Sequence, residues 1–106
     1  MTDSPSPRVV PVDPDIIDLI PGYIENRKKD IHDLREAAVA RDFVAVRNIA
    51  HQLRGSGGGY GLEAVSDIGM RMGEAARAAD LASINVWIDE LERYIAQVKV
   101  VPRESD

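Results

Sequence analysis

One kind of chemistry is concentrated in residues 51–61, which read HQLRGSGGGYG. His51 supplies a neutral imidazole, which is a nucleophile near pH 7, and a phosphorylated ring nitrogen can pass its phosphoryl group onward. Arg47 lies one helical turn before His51 and Arg54 lies three residues after it, so both guanidinium groups would adjoin the imidazole on a helix surface. The two cations would neutralise phosphoryl charge. This pattern predicts a nucleophilic histidine suited to a phosphoryl group.

The glycines that follow His51 have two interpretations. Gly55 and Gly58 lie four and seven residues after it, where the missing Cβ atoms would let another protein approach the helix closely. Each glycine inside a helix also costs about 1 kcal/mol relative to alanine, so the run could instead mark the end of the helix. A nucleotide-binding loop fits less well, because no Lys-Ser/Thr pair follows the glycines and no strand precedes them.

The composition limits the classes of protein to consider. A chain of 106 residues with 44% hydrophobic and 29% charged residues can build one core and no second domain. The formal net charge of -5 argues against nucleic-acid binding and favours a monomer. The absence of cysteine excludes disulfides and thiolate chemistry. With 2 histidines and no HExxH spacing, neither a metal site nor a bound cofactor is expected.

Neither a signal peptide nor a membrane span is expected near the beginning of the chain. Residues 1–14 contain prolines and serines and no apolar stretch long enough for either. The expected location is therefore cytoplasmic, without membrane binding.

Apolar residues recur at helical spacing in four segments, which indicates four amphipathic helices. Pro21 suits a first helical turn better than an interior, so a short helix near residues 15–20 is expected before the first long one. Asp42 and Asp80 are the expected N-caps of the second and fourth long helices. The segments lie at residues 15–40, after Asp42, at residues 62–79 and at residues 81–100.

Four one-sided helices with short connections bury their apolar stripes best against one another. The predicted fold is all-α, an antiparallel four-helix bundle with a short additional N-terminal helix. A sheet has little support, because no Asn-Gly or Asp-Gly hairpin signal occurs. We expect a flexible segment over residues 1–12, the bundle over residues 13–101 and a tail over residues 102–106. Three valines of the first segment could still pack against the bundle, namely Val9, Val10 and Val12.

The helix that carries His51 should present it to solvent. At about 100° per residue, His51 lies about 150° from the centre of the apolar stripe. His32 should also face solvent, but Glu36 follows it at the i+4 position and no role is assigned to it. The stripe consists of Phe43, Val46, Ile49, Ala50 and Leu53.

Met70 projects away from the apolar stripe of the third segment. It is either an isolated exposed apolar residue or part of a partner-docking patch around His51 together with Val44. Trp87 and Tyr94 fall on the stripe of the fourth segment and are predicted to be core residues.

Residues 51–56, HQLRGS, and the later Gly61 resemble the signature of the histidine-containing phosphotransfer (Hpt) domain, which is His-x-Leu-Lys/Arg-Gly-Ser/Ala with a later glycine. Residues 20–27, IPGYIENR, resemble the first long helix of that family. Residues 78–81, AADL, resemble its turn into the last helix. The resemblance covers about residues 13–100.

The resemblance implies that His51 is the phosphorylated residue, that Arg54 assists the phosphoryl group and that Gly55 gives the partner room. It also implies a carrier without kinase activity or bound metal of its own. The partners would be receiver domains of response regulators, which supply the aspartate and Mg²⁺, and a hybrid histidine kinase. Some family members place a glutamate on the next helix beside the imidazole, and the position aligned with it here is Gly73. The adjacent Glu74 is turned by about 100°.

The resulting hypothesis is a phosphorelay intermediate that docks its partners through the surface around His51. The expected contacts are Arg47, Gly55, Gly58 and Met70, beside Arg54. Two alternatives belong to other classes of protein. One is a helical adaptor or dimerisation module without phosphotransfer, and the other is a small nucleotide-dependent enzyme that uses the glycine run.

Overall fold

The computed structural model describes residues 9–104. Each helix packs on the next one along the chain, and the first also packs on the last, which closes the bundle. Because the connections are short, neighbouring helices run antiparallel. The all-α fold class is confirmed. The helices are α1 (Ile20–Ala40), α2 (Phe43–Gly57), α3 (Glu63–Arg77) and α4 (Leu81–Gln97), with 3-10 turns at Ile17–Leu19 and Gly58–Tyr60 and strands β1 (Val9–Val12) and β2 (Lys99–Pro102).

The starts of the helices follow the expected capping residues. The carboxylate of Asp42 accepts a hydrogen bond from the backbone N–H of Ala45 at 3.0 Å, and Asp80 accepts one from the N–H of Ser83 at 3.1 Å. The Ser83 hydroxyl also donates to Asp80 at 2.7 Å, and these bonds hold the pKa of Asp80 below its usual range. Pro21 lies in the first turn of α1, and the short helix before it is a single 3-10 turn that leads directly into α1.

The core lies between the four helices and consists mainly of aliphatic side chains, with Tyr23 of α1 and Tyr94 of α4 at one end of the bundle. Tyr94 is buried as predicted, whereas Trp87 is half-buried and packs against the edge of the core. The third helical segment was expected to extend to residue 79, with Ala79 on its apolar stripe, but the helix is shorter. That helix ends at Arg77, and Ala79 is an exposed turn residue with a φ of 53°. The largest fully buried side chains are Leu34, Leu53, Leu62, Met72, Ile84, Ile88 and Leu91.

A two-stranded parallel sheet pairs the segment before α1 with the segment after α4, although a sheet had little support in the sequence. Val9 pairs with Lys99 and Val12 with Pro102, and the N–H of Arg103 donates to the carbonyl of Val12 at 2.8 Å. Val12 is fully buried. A parallel pair between distant segments leaves no hairpin turn in the sequence, which is why turn signals did not indicate it.

The strand pair also changes the expected boundaries. Residues 9–12 were expected to be part of a flexible segment, but they form a strand of the folded unit. Strand β2 reaches Pro102, one residue into the expected tail. The rest of the N-terminal segment, residues 1–8, lies outside the described residues, as do residues 105–106.

None of the helices within residues 9–104 is both long and apolar enough to cross a membrane.

Candidate functional site

His51 lies on the solvent-exposed face of α2, as its helical phase predicts. The opposite face of this helix is buried through Val46, Ala50 and Leu53. Within the described part of the chain, the imidazole of His51 makes no hydrogen bond and no ion pair. It is therefore available to a group that arrives from outside.

The helix continues past Gly55 and ends within the glycine run. Helix α2 extends to Gly57, and a 3-10 turn follows directly. Gly61 ends that turn with a φ of 80°, a left-handed conformation that glycine adopts without strain. Both interpretations of the glycines therefore hold in part, because the helix ends within the run at Gly57, while Gly55 lies inside the helix beside open space.

Two glycines bring the backbones of α2 and α3 into contact beneath this face. A Cβ atom on Gly69 would lie 2.6 Å from the backbone N of Arg54 and 2.7 Å from the carbonyl O of Ala50. A Cβ atom on Gly57 would lie 2.6 Å from the backbone N of Ser66. These distances are too short for any side chain, so the close approach of the two helices requires glycine at both positions.

Ser66 fixes the end of α2 from the side of α3. Its hydroxyl donates to the carbonyl of Arg54 at 2.8 Å and accepts a hydrogen bond from the N–H of Gly58 at 2.8 Å. Gly58 follows Arg54 by four residues, so the hydroxyl lies between the two groups that would form the next backbone hydrogen bond of the helix. Our sequence interpretation missed Ser66 and Gly69. The signal was present as small residues at helical spacing on the third segment, at positions 66, 69 and 73.

Ser56 of the motif connects α2 to α1. Its hydroxyl and that of Tyr23 are 2.8 Å apart and share a hydrogen bond. The ring of Tyr23 stacks on Tyr60 with 4.2 Å between the ring centroids. The Arg27 guanidinium also lies over the Tyr23 ring, 4.2 Å from its centroid. Arg27 also pairs with Asp30 at 2.8 Å, while burial raises the pKa of Asp30. The last turn of α2 is thus held by both neighbouring helices.

A hollow of about 170 Å³ opens between α2 and α3 beside His51. Four residues predicted for the site meet there: His51, Arg47, Arg54 and the half-buried Met70. Met70 is therefore a part of the surface around His51 and not an isolated apolar residue. The full lining is Arg47, Asn48, His51, Arg54, Gly69, Met70, Gly73 and Arg77.

The two glycines predicted as contacts lie outside this lining. Gly55 faces open space, with no atom within 4 Å of where its Cβ would be. Gly58 lies in the turn toward α3, where a Cβ would approach the carboxylate of Glu63 at 3.4 Å. Gly55 thus leaves the surface of α2 without a projecting side chain, whereas Gly58 belongs to the turn between α2 and α3. Asn48 and Arg77 also line the hollow. They were not predicted, because the sequence around each residue indicates a helix but no chemical role.

The position aligned with the family's glutamate does face the hollow. Gly73 is buried and contributes to its wall. The neighbouring Glu74 is exposed and lies instead on a separate surface with Trp87 and Arg71. No carboxylate occurs among the lining residues of the hollow, so within the described chain no acidic side chain orients the imidazole of His51.

The lining is also a poor set of ligands for a cation. Mg²⁺ prefers carboxylate and carbonyl oxygens, and the guanidinium groups of Arg47, Arg54 and Arg77 would repel it. Three possible metal ligands cluster elsewhere, on the exposed face of α1: His32, Asp33 and Glu36. The imidazole of His32 lies 3.3 Å from Glu36, which is an ordinary i,i+4 surface pair.

Comparison with curated proteins and with solved structures finds no match for the chain. A family model described as Hpt domain matches residues 18–100, from the turn before α1 to the beginning of β2. The matched range contains His51 and the whole four-helix bundle. The chain therefore belongs to the Hpt domain family, whose members are helical phosphotransfer modules of two-component systems and act as phosphocarriers.

Proposed function

We propose that this protein is a phosphorelay intermediate, in which His51 accepts a phosphoryl group from the aspartate of one receiver domain and delivers it to another. The observation that supports this most directly is the exposed imidazole, without a partner among the described residues, at the edge of a hollow lined by three arginines. A receiver domain can reach such a side chain without unfolding any part of the bundle.

The transfer is a displacement at phosphorus. The lone pair of the unprotonated ring nitrogen of His51 forms the N–P bond as the P–O bond to the donor aspartate breaks. The aspartate leaves as a carboxylate with the electron pair of that bond, and the other ring nitrogen of His51 keeps its proton. Delivery to the second receiver reverses these changes, so no oxidant, nucleotide or additional reactant is needed.

The neighbouring residues have separate roles in this proposal. Arg54 and Arg47 bind the phosphoryl oxygens, which carry negative charge throughout the transfer. Gly55 lets the backbone of the receiver approach α2, because no atom occupies the space beside it. Met70 contributes apolar contact at the floor of the docking surface, and Gly58 acts indirectly through the turn that holds the end of α2.

The partners are receiver domains of response regulators and the receiver of a hybrid histidine kinase. Mg²⁺ belongs to the receiver in this proposal, because a receiver supplies carboxylates and the hollow beside His51 is lined by three arginines and no carboxylate. The carrier itself then needs no catalytic metal and no kinase activity.

The test is incubation of the full chain with a panel of receiver domains phosphorylated by a small phosphodonor. We expect transfer of acid-labile, base-stable phosphate to this chain. His51→Gln should abolish the transfer, and the matched control His32→Gln should leave it unchanged, because His32 lies on α1 outside the hollow. Circular dichroism of both variants checks that the bundle is intact.

Failure of every receiver in the panel to transfer phosphate would count against the relay and favour the helical adaptor. Equal labelling of His51→Gln and the unchanged protein would place the phosphate on another residue. Nucleotide binding measured by calorimetry without a receiver would favour the nucleotide-dependent enzyme.

A further inference from the structure

The main chain of Arg54 is held against α3 at two points. Its carbonyl oxygen accepts a hydrogen bond from the hydroxyl of Ser66 at 2.8 Å. Its backbone nitrogen lies against Gly69, where a Cβ would come within 2.6 Å of that nitrogen. The position of this residue is therefore fixed by the neighbouring helix as well as by its own.

The hydroxyl of Ser66 takes part in the backbone hydrogen bonding of α2. In a regular α-helix the N–H of Gly58 would donate to the carbonyl of Arg54, four residues earlier. The hydroxyl donates to that carbonyl and accepts from that N–H, both at 2.8 Å, because a hydroxyl is both a donor and an acceptor. Gly57 gives it access, since a Cβ there would lie 2.8 Å from the Ser66 oxygen. The geometry of the last turn of α2 therefore depends on a side chain of α3.

The side chain of Arg54 has no comparable attachment. It lines the hollow together with His51 and forms no ion pair with a carboxylate of residues 9–104. A long side chain without a partner takes its direction from its Cα–Cβ bond, so the main chain sets the region that the guanidinium can reach. Ser66 does not line the hollow, and its influence on the surroundings of His51 passes through α2.

We propose that Ser66 is a positioning residue for phosphoryl transfer and that it acts through the main chain of Arg54. By binding the carbonyl of Arg54, it keeps the guanidinium on the side of α2 that borders the hollow, beside His51. Ser66 itself touches neither the imidazole nor the phosphoryl group. This role rests on the proposed function. A displacement of about 1 Å in a transfer site can slow a reaction about a hundredfold, so even a partial shift of Arg54 has a measurable effect.

The test is a double-mutant cycle on the full chain, made of Ser66→Ala, Arg54→Gln and the variant with both changes. Each variant at saturating concentration is mixed with a phosphorylated receiver domain that transfers to the unchanged chain, and the first-order rate of transfer is measured. We expect Ser66→Ala alone to slow transfer about fivefold. Beside Arg54→Gln it should have no further effect, because the two residues act as one unit. The dissociation constant of the complex with the receiver should be the same for Ser66→Ala as for the unchanged chain.

Ser83→Ala is the matched control for the loss of a serine hydroxyl. Ser83 donates to Asp80 at 2.7 Å at the start of α4 and lies outside the hollow, so transfer to this variant should be unchanged. Circular dichroism checks that the bundle is intact in every variant.

NMR of the isotopically labelled full chain supplies a measurement that needs no receiver. In Ser66→Ala the backbone and side-chain carbon signals of Arg54 should shift, because the carbonyl loses its hydrogen bond. The side-chain signals of Arg47, which lies on the same face of α2, should stay in place. Unchanged Arg54 signals would overturn the proposal, since its action depends on that main-chain contact.

Additive losses in the double-mutant cycle would also overturn the proposal, because Ser66 would then act independently of Arg54. Equal slowing by Ser66→Ala and Ser83→Ala would do the same, since a general loss of stability would account for both. Failure of this proposal is separable from failure of the proposed function. Transfer to Ser66→Ala at the unchanged rate removes the positioning role and leaves the relay, whereas absence of transfer to the unchanged chain from every receiver removes the relay and the positioning role with it.

Discussion

The contact between α2 and α3 differs in kind from the contact between α1 and α4. Between α2 and α3 the backbones touch, because Gly57 and Gly69 have no side chains. Across α1 and α4 the helices are linked by ion pairs, since Arg35 contacts both Asp89 at 3.0 Å and Glu92 at 2.6 Å. On the α2–α3 face the arginines around His51 have no such partners among the described residues.

The two faces therefore differ in whether their arginines have carboxylate partners among the described residues. Exposed ion pairs on the α1–α4 face contribute little free energy, but they give Arg35 carboxylate partners within the chain. The α2–α3 face combines rigid, backbone-level packing with cations that lack partners. Rigid support beneath exposed reactive groups is the arrangement that a transfer site needs.

The largest expected effect comes from the contact between the two backbones. Gly69→Ala should lower the free energy of unfolding by about 3 kcal/mol, because its Cβ would lie within 2.7 Å of backbone atoms of α2 and the helices must separate. Gly55→Ala is the matched control on the open surface. It should raise stability by up to about 1 kcal/mol, since alanine favours helix and nothing obstructs it.

Urea denaturation followed by circular dichroism measures both changes. Similar effects for the two variants would mean that the α2–α3 contact has no special dependence on glycine. Gly55→Ala also tests the proposed docking surface, because it should slow transfer from a receiver while it stabilises the bundle.

A smaller effect is expected at the hydrogen bonds that hold the end of α2. Ser66→Ala leaves the N–H of Gly58 and the carbonyl of Arg54 without their protein partner, which should cost about 1 kcal/mol. Amide hydrogen exchange should accelerate most at Gly58, beyond the general increase that the lower stability produces in the interior of α4. Uniform acceleration along the whole chain would instead indicate a global loss of stability without a local role for Ser66.

The two kinds of arginine should respond differently to the loss of charge. Arg35→Gln breaks two exposed ion pairs and should lower the free energy of unfolding by about 0.5 kcal/mol, with the difference shrinking at high salt. Arg77→Gln breaks no described ion pair and should be neutral or slightly stabilising at low salt. Denaturant titrations at two ionic strengths measure both, and a larger loss for Arg77→Gln would contradict the contrast between the faces.

The smallest effect concerns acid and the beginning of α4. Hydrogen bonds from Ser83 lower the pKa of Asp80 in the folded protein from 3.8, so the ionised carboxylate stabilises the fold above that pH. This stabilisation is lost as the pH falls through the lowered pKa. Asp80→Asn, which retains an N-cap, should therefore be less stable at pH 7, and its stability should converge with that of the unchanged chain below pH 3.8. A constant difference across this range would show that the charge of Asp80 is not involved.

Helical periodicity predicted the four helices because each one buries a stripe at a spacing set by its own backbone. The same reasoning placed His51 on the outer face and identified Asp42 and Asp80 as caps, since capping depends on residues within three positions. It missed the β1–β2 pair and the hydroxyl of Ser66. Both depend on segments that are distant in the sequence, and no local pattern specifies which segments meet.

The sequence by itself determined the bundle, the exposed histidine and its two arginines on α2, because one helix fixes their relative positions. Only the tertiary structure decided that Arg77 and Gly73 of α3 complete the surroundings of His51. Their place depends on how closely two helices approach, and Gly69 and Gly57 permit that approach because a Cβ on either would lie only 2.6 Å from the backbone of the facing helix. The sequence shows the glycines, but only the packed helices show which glycine permits contact and which leaves space.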